Sequence, residues 1–283
     1  MNDYIEFYLQ SVMAYGTPES FVSLFFLGLA RVLPIIALAP YFGSRTLPLP
    51  VKVGFGISLL VILFPAMVLN MTAPVYFNTQ LLLLAAKEVF VGFSLGLIMA
   101  APFFIVQSVG MIIDHQRGGA SLQVNDPTQQ SQSSPLGTLY NLILITLFYL
   151  VDGPFYFLDV VASTYHILPP DHLLPGGFFS EDTQFWKLMI SFMNKIMVLT
   201  VQLVAPPLIM TLMTDMFLGI VNRLAPQVQI IFLGMPLKSL LALLVVFLGW
   251  KAYNEETIVV AFQWIDYLKE AVLSFAQGRA LTS

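Results

Sequence analysis

The sequence predicts an all-α, polytopic membrane protein, with about six long hydrophobic helices arranged as kinked hairpins. Three observations carry this. Hydrophobic residues make up 58% of the 283 and charged residues 10%, against roughly 45–50% and about 25% in soluble domains. Mean hydropathy is +0.82, and a chain this apolar has no means of covering a water-facing surface. Long runs lack Asp, Glu, Lys and Arg: Val53–Ala86, Val89–Ile113, Pro127–Val151 and Ile196–Thr214. A helical span needs about 20 apolar residues at ~1.5 Å each, and these runs supply them.

Two further segments qualify with one charge inside each: Phe21–Leu38 holds Arg31, and Val228–Trp250 holds Lys238. The expected spans are 21–42, 53–72, 82–113, 136–158, 186–221 and 228–250. The third and fifth exceed a simple crossing. Pro102 and the pair Pro206-Pro207 are candidate breaks, since proline removes a helical hydrogen bond and crowds the preceding turn. Between the spans, Gly43–Val51 is short and proline-rich, Asn70–Gln80 is nearly uncharged, and Asp152–Lys187 is long and acidic. The segment 251–283 reads as an amphipathic, mixed-charge helical tail. The N-terminus is acidic and lacks a basic n-region, so the first span is expected to act as its own targeting signal rather than a cleaved one.

A net charge of −4 excludes the basic footprint of a nucleic-acid binder. The absence of cysteine excludes disulfides, Cys-metal centres and thiol catalysis. His115, His166 and His172 lie in predicted loops without metal-ligand spacing, and no nucleotide-binding or nucleophile motif is present. No metal, cofactor or enzymatic activity is expected. The positive-inside rule orients the chain poorly: six spans place Arg45, Lys52, Arg117 and Arg223 on one side but send Lys251, Lys269 and Arg279 to the other.

Intramembrane charges cost about 2.5–3.5 kcal/mol each on insertion scales, so each needs a reason. Arg31, Lys87, Glu88, Lys195, Asp215 and Lys238 are the candidates. They either pair between helices or snorkel to the interface, or else they line a polar lumen. Lys87 and Glu88 are adjacent, point about 100° apart on a helix, and are not expected to pair with each other. Asp114-His115 reads as a solvated turn. Gly92-Phe-Ser-Leu-Gly96 is a small-xxx-small pattern that permits close helix approach.

The most unusual stretch is 114–137, DHQRGGASLQVNDPTQQSQSSPLG. It contains Gln116, Arg117, Gly118, Gly119, Asn125, Asp126, Gln129, Gln130, Ser131, Gln132, Ser133 and Ser134, and lies between two of the most apolar runs. Such a backbone cannot face lipid. It is either a hydrated surface loop or a segment buried in protein or lining an aqueous cavity.

Several residue strings resemble the T subunit of the bacterial type III secretion export gate, a family with a flagellar branch. They are Arg31-Val-Leu-Pro34-Ile-Ile-Ala-Leu-Ala-Pro40 with Leu47-Pro-Leu-Pro50-Val-Lys-Val-Gly54; Asp114-His-Gln116-Arg117-Gly118 with Asn125-Asp126-Pro127 and Ser133-Ser-Pro135-Leu-Gly137; and Asn222-Arg223-Leu-Ala-Pro226-Gln227-Val with Gly234-Met-Pro236-Leu-Lys238. The resemblance spans Phe21 to about Trp250, and the central loop is more similar to the virulence (injectisome) branch than to the flagellar one.

The resemblance implies a single gate domain over 1–283, built like a fusion of two smaller sister subunits. A first-sister-like part covers 21–158 and a second-sister-like hairpin covers 186–250. It implies residence in the bacterial inner membrane and assembly with the P/R-type and Q/S-type gate subunits and the U-type switch subunit. It further implies a channel for unfolded secreted proteins, closed by the loop 114–137. Arg31, Lys87, Glu88, Asp215, Arg223 and Lys238 become subunit-contact or entrance charges. In the sister hairpin Pro directly precedes Lys, whereas Leu237 stands between Pro236 and Lys238 here. A flagellar gate subunit and a secondary transporter of a small solute are the alternative readings. Inverted repeats, which the transporter reading requires, are not evident.

Overall fold

The computed structural model describes residues 17–43, 47–118, 134–175, 178–180, 183–225 and 230–277. Its described residues form eight α-helices: α1 Pro18–Leu38, α2 Leu49–Leu69, α3 Thr79–Gln116, α4 Pro135–Leu150, α5 Gly153–Ile167, α6 Gln184–Leu224, α7 Ile230–Leu248 and α8 Trp250–Gln277. A short 3-10 turn, Pro40–Phe42, follows α1.

Helix starts follow the local chemistry. Thr17 caps α1 by accepting from the Ser20 backbone N–H, with Pro18 in the first turn. Ser134 caps α4 by accepting from the Gly137 N–H at 2.9 Å, again with a proline in the first turn. Gly118 adopts φ 86, and its N–H bonds to the His115 carbonyl just beyond the end of α3. That left-handed position closes the helix and suits glycine.

Among the described residues, four helices are long and apolar enough to cross a membrane: α1, α2, α3 and α6, at 21, 21, 38 and 41 residues. The count is five if α4 and α5 together form one broken span. The protein is all-α and multi-pass. The six expected crossings are thus revised in one place. The expected span 136–158 is interrupted because Asp152 takes φ 57 and Pro154 has no N–H for the Leu150 carbonyl. The last expected span, 228–250, holds the apolar helix α7, of which Gly234–Leu248 is the fully described part. Conversely, α3 and α6 continue through Pro102 and through Pro206-Pro207. These prolines interrupt backbone bonding without ending either helix.

The chain forms two compact units. One comprises Met1–Ala100, Asp152–Ser191 and Trp264–Ser283; the other comprises Ala101–Val151 and Phe192–Gln263. In the first, α1 packs on α2 and α2 on α5, around Leu24, Leu27, Val32 and Ile35, all at most 1% exposed. Gly92 and Gly96 of α3 meet α1 directly. A Cβ on Gly92 would stand 2.1 Å from the Arg31 carbonyl oxygen, and one on Gly96 would stand 3.1 Å from the Ile35 Cα. The small-xxx-small pattern is therefore a true contact between helix backbones. The last turns of α8 join this unit through Phe275, whose ring lies 5.6 Å from that of Phe178 and 4.8 Å from that of Phe185.

In the second unit, Phe103 and Phe148 meet edge to face at 5.6 Å, and Tyr140 stacks on Tyr253 at 4.6 Å. Much of α6 stays uncovered: Ile209, Leu212, Met213, Met216, Phe217 and Ile220 are all exposed.

Candidate functional site: a clamped loop stem and a buried ion cluster

In the second unit, the described ends of the polar segment meet in a stem built around Asp114. This residue sits in the last turn of α3 and is fully buried. One carboxylate oxygen accepts from Arg117 Nε at 2.7 Å and Nη2 at 2.6 Å. The other accepts from the Ser134 hydroxyl and from the Leu136 backbone N–H at 3.0 Å. One carboxylate thus ties the residues that leave α3 to those that open α4. The reading of Asp114 as part of a solvated turn is corrected: its neighbour His115 is exposed, while Asp114 turns inward onto four donors.

The helix backbones close the same stem. A Cβ on Gly110 would stand 2.3 Å from the Gly137 nitrogen, and one on Gly137 would stand 2.8 Å from the Gln107 carbonyl oxygen. Arg117 reaches further, donating Nη1 to the Ser239 hydroxyl of α7 at 3.3 Å. Of the predicted loop residues, Gln116, Arg117, Gly118 and Ser134 therefore belong to the stem. Gly119, Asn125, Asp126, Gln129, Gln130, Ser131, Gln132 and Ser133 lie outside the described residues.

Also in this unit, Lys238 of α7 forms an ion pair with Asp215 of α6, with side chains 22% and 45% exposed. Arg223, near the end of α6, is exposed. Lys195 donates to the Gln263 side-chain carbonyl at 3.0 Å.

In the first unit, three of the predicted charges form one cluster. Arg31 of α1 and Glu88 of α3, both fully buried, make a two-pronged contact through Nε and, at 2.9 Å, Nη2. The remaining guanidinium donors reach α5 and the turn after it: Nη1 to the Thr164 hydroxyl and Nη2 to the Leu168 carbonyl, both at 2.8 Å. The guanidinium carbon lies 4.3 Å from the centre of the Tyr165 ring, a cation–π arrangement.

Lys87 also reaches Glu88, at 2.5 Å, which corrects the expectation that these neighbours do not pair. The flexible lysine stem overcomes the 100° divergence of the two Cβ directions. Its ammonium also reaches three backbone partners, donating to the carbonyls of Pro169, Pro170 and His172 at 3.1, 3.4 and 3.0 Å. Two cations against one carboxylate leave an excess positive charge, and the carbonyls of the turn that follows α5 face it.

The turn 168–172 is held from its other side. Asp171 Oδ2 accepts from the Thr72 hydroxyl at 2.6 Å and from the backbone N–H groups of Thr72 and Ala73 at 2.8 and 3.2 Å. Burial pushes the Asp171 carboxyl up, but these donors and nearby His172 outweigh it and hold it below the ordinary carboxylate range. The cluster's charged donors and acceptors Arg31, Lys87 and Glu88 pair with one another and with neighbouring oxygens, whereas the buried Tyr165 hydroxyl and Asp171 Oδ1 have no hydrogen-bond partner among the described residues. The cluster joins α1, α3, α5 and two turns and is built for cohesion rather than for turnover. Among the described residues, no group of His, Asp and Glu is placed to hold a metal ion. Sequence reading missed Thr164, Tyr165 and the 168–172 carbonyls, because a backbone acceptor in a turn carries no signal in residue type.

The pattern of the bacterial export proteins, family 1, matches residues 22–259. The chain is 29% identical to the secretion system apparatus protein SsaT of Salmonella typhimurium over 66% of its own length and 70% of that relative. It is 31% identical to the flagellar biosynthetic protein FliR of Escherichia coli over 77% and 80% of the two chains. It is 27% identical to the surface presentation of antigens protein SpaR of Salmonella typhimurium over 84% and 87%.

Proposed function

Because the chain belongs to the bacterial export proteins of family 1, the export-gate family of type III secretion, we propose that its polar segment 114–137 closes the export channel at rest. On this reading the protein is a non-enzymatic structural subunit of the inner-membrane gate, through which unfolded substrate proteins pass. The observation that carries the reading is the Asp114 clamp. Asp114 joins both ends of the polar segment at one buried point, which gives the segment a fixed base. A closing element needs that combination: a rigid root, and a tip whose neutral amides and hydroxyls make contacts of only about 0.5–1.5 kcal/mol each. A passing chain can displace such contacts one by one.

The exposed apolar residues of α6 and the exposed end of α7, with Leu240, Phe247 and Leu248, are faces for the two smaller gate subunits, with 186–250 as the second-sister-like hairpin and 21–158 as the first-sister-like part. Gln116-Arg117-Gly118 favours the injectisome branch. Relatives of both branches align with the chain, so deletion of the gene separates them: loss of effector secretion with intact swimming is expected, and loss of motility would assign the flagellar branch.

Cross-linking tests the closure. The protein has no native cysteine, so a cysteine in place of Ser131, coupled to a cysteine on a neighbouring gate subunit, should arrest secretion until reduced. Undiminished secretion through a cross-linked gate would contradict the proposal.

A further inference from the structure

Apart from the loop stem and the ion cluster, the second unit holds a cavity of about 320 Å³ between α3, α4, α6 and the α7–α8 junction. Its wall is mostly aliphatic, with Val109 and Val246 among the lining residues, and its polar groups are those of Tyr140, Gln202 and Tyr253. No Asp, Glu, Lys, Arg or His lines it. The wall also includes Leu203, Pro206 and Pro207. Each proline lacks the N–H that a helix would present to the carbonyl four residues earlier, and those carbonyls belong to Gln202 and Leu203. Two consecutive prolines thus remove the helical donors from two consecutive wall residues.

We propose that this cavity binds one apolar chain headed by a neutral hydroxyl, such as an alkanol or the glycerol end of a neutral acylglycerol. The volume, near the lower end of the about 300–1,000 Å³ typical of small-molecule sites, suits a single chain. The aliphatic wall supplies burial for it. Gln202 and Leu203 lose their helical donors to Pro206 and Pro207, and a hydroxyl entering beside them can supply one, which a carboxylate or phosphate cannot. An anionic head would also be buried without a counter-charge. The flanking helices are apolar, so the membrane itself is the source of such chains.

The test uses inner membranes from cells expressing the full chain together with its secretion apparatus. The probes are a medium-chain alkanol and the matching alkanoate, each with a photoreactive diazirine in the chain. Saturable labelling of peptides carrying Gln202–Pro207 and Tyr253 is expected, with the alkanol favoured over the alkanoate by about tenfold or more. Val246→Trp, which fills the cavity, should abolish labelling. Pro206→Ala combined with Pro207→Ala, which returns N–H donors to the two carbonyls, should cut the alkanol preference while labelling by the chain persists. Equal labelling by the two probes, labelling that survives Val246→Trp, or no saturable labelling at all would overturn the proposal. The wild-type comparison of the two probes stands even if the proline variant fails to fold. None of these outcomes depends on whether segment 114–137 closes a channel.

Discussion

Ser134 and Asp114 stand 20 positions apart, yet the Ser134 hydroxyl donates to the buried Asp114 carboxylate while its oxygen caps α4 through the Gly137 N–H. One serine thus both starts a helix and fastens the base of the polar segment. The stem should behave as a structural unit that can be disturbed without altering the segment it carries. Asp114→Ala leaves Arg117 and Ser134 facing an empty site and should cost about 3–5 kcal/mol, the scale of breaking a buried charge pair. Ser134→Ala removes one hydroxyl and should cost only about 1–2 kcal/mol, as a lost cap does. Thermal unfolding of the purified gate checks the ranking, and equal effects would contradict it.

Arg31 and Glu88 offer a second test. Replacing Arg31 with Met strands Glu88 between α1 and α3 and should cost about 3–5 kcal/mol. Replacing both with Met should be milder than either single change. Arg31→Lys should not rescue, since an ammonium cannot hold Glu88, Thr164 and Leu168 in the planar fork seen here. Gate assembly and melting temperature provide the readout. Additive single effects would mean that the two residues do not act as a pair.

Gly92 makes a steric prediction. Its Cβ position lies 2.1 Å from the Arg31 carbonyl, so even alanine must push α1 and α3 apart. Gly92→Ala should lower gate yield in membranes, and Gly92→Leu should abolish it. Gly54, with no atom within 4 Å of a Cβ, is the control and should tolerate alanine. Normal yield of Gly92→Leu would refute the backbone contact.

Asp171 makes the turn 168–172 acid-sensitive. Its native carboxyl is held below the ordinary range, so its contribution is present in full above that range and is lost as pH falls through the lowered native value. Protection of the 168–175 turn from proteolysis should therefore decline on acidification into that window. Asp171→Asn should reduce protection at neutral pH and flatten the acid limb. His172 lies 3.8 Å from the carboxylate, and His172→Gln should leave the acid limb in place. An unchanged limb in Asp171→Asn would assign it to another group.

Lys238 and Asp215 make an electrostatic prediction. Lys238→Glu places two carboxylates where an ion pair stood and should impair export. Adding Asp215→Lys should restore part of it, because the pair is re-formed with its signs exchanged. Partial exposure makes the pair's stabilising effect modest, so the assay is secretion rather than melting. Failure of the double variant to improve on Lys238→Glu would place the function of Lys238 elsewhere.

Much of the helical architecture is legible in the sequence, because long uncharged runs leave a chain few alternatives. The small pair Gly92 and Gly96 already marked the close contact of α3. Arg31, Lys87 and Glu88 stood out because charges at that depth require partners, but the partners were only half visible. Thr164 is an ordinary helix residue, and the carbonyls of Leu168 to His172 carry no letter of their own. Asp114 was misread for a related reason: a carboxylate beside His115 at the start of a polar run looks solvated, and its partner Ser134 follows no helical or strand periodicity. The break between α4 and α5 was readable from Asp152-Gly153-Pro154, yet the apolar residues on both sides masked it.

Resting leak through the assembled gate tests the central claim most directly. Deleting Gln129–Ser133 shortens the polar segment while keeping Ser134 and the Asp114 stem. Conductance of gates reconstituted in planar bilayers, or ion influx into cells carrying the variant, measures the result. If the segment closes the channel, the shortened gate should assemble normally and leak ions and small solutes at rest, well above the wild type. A shortened gate that assembles normally and remains as tight as the wild type would show that the segment is only a surface connection between α3 and α4.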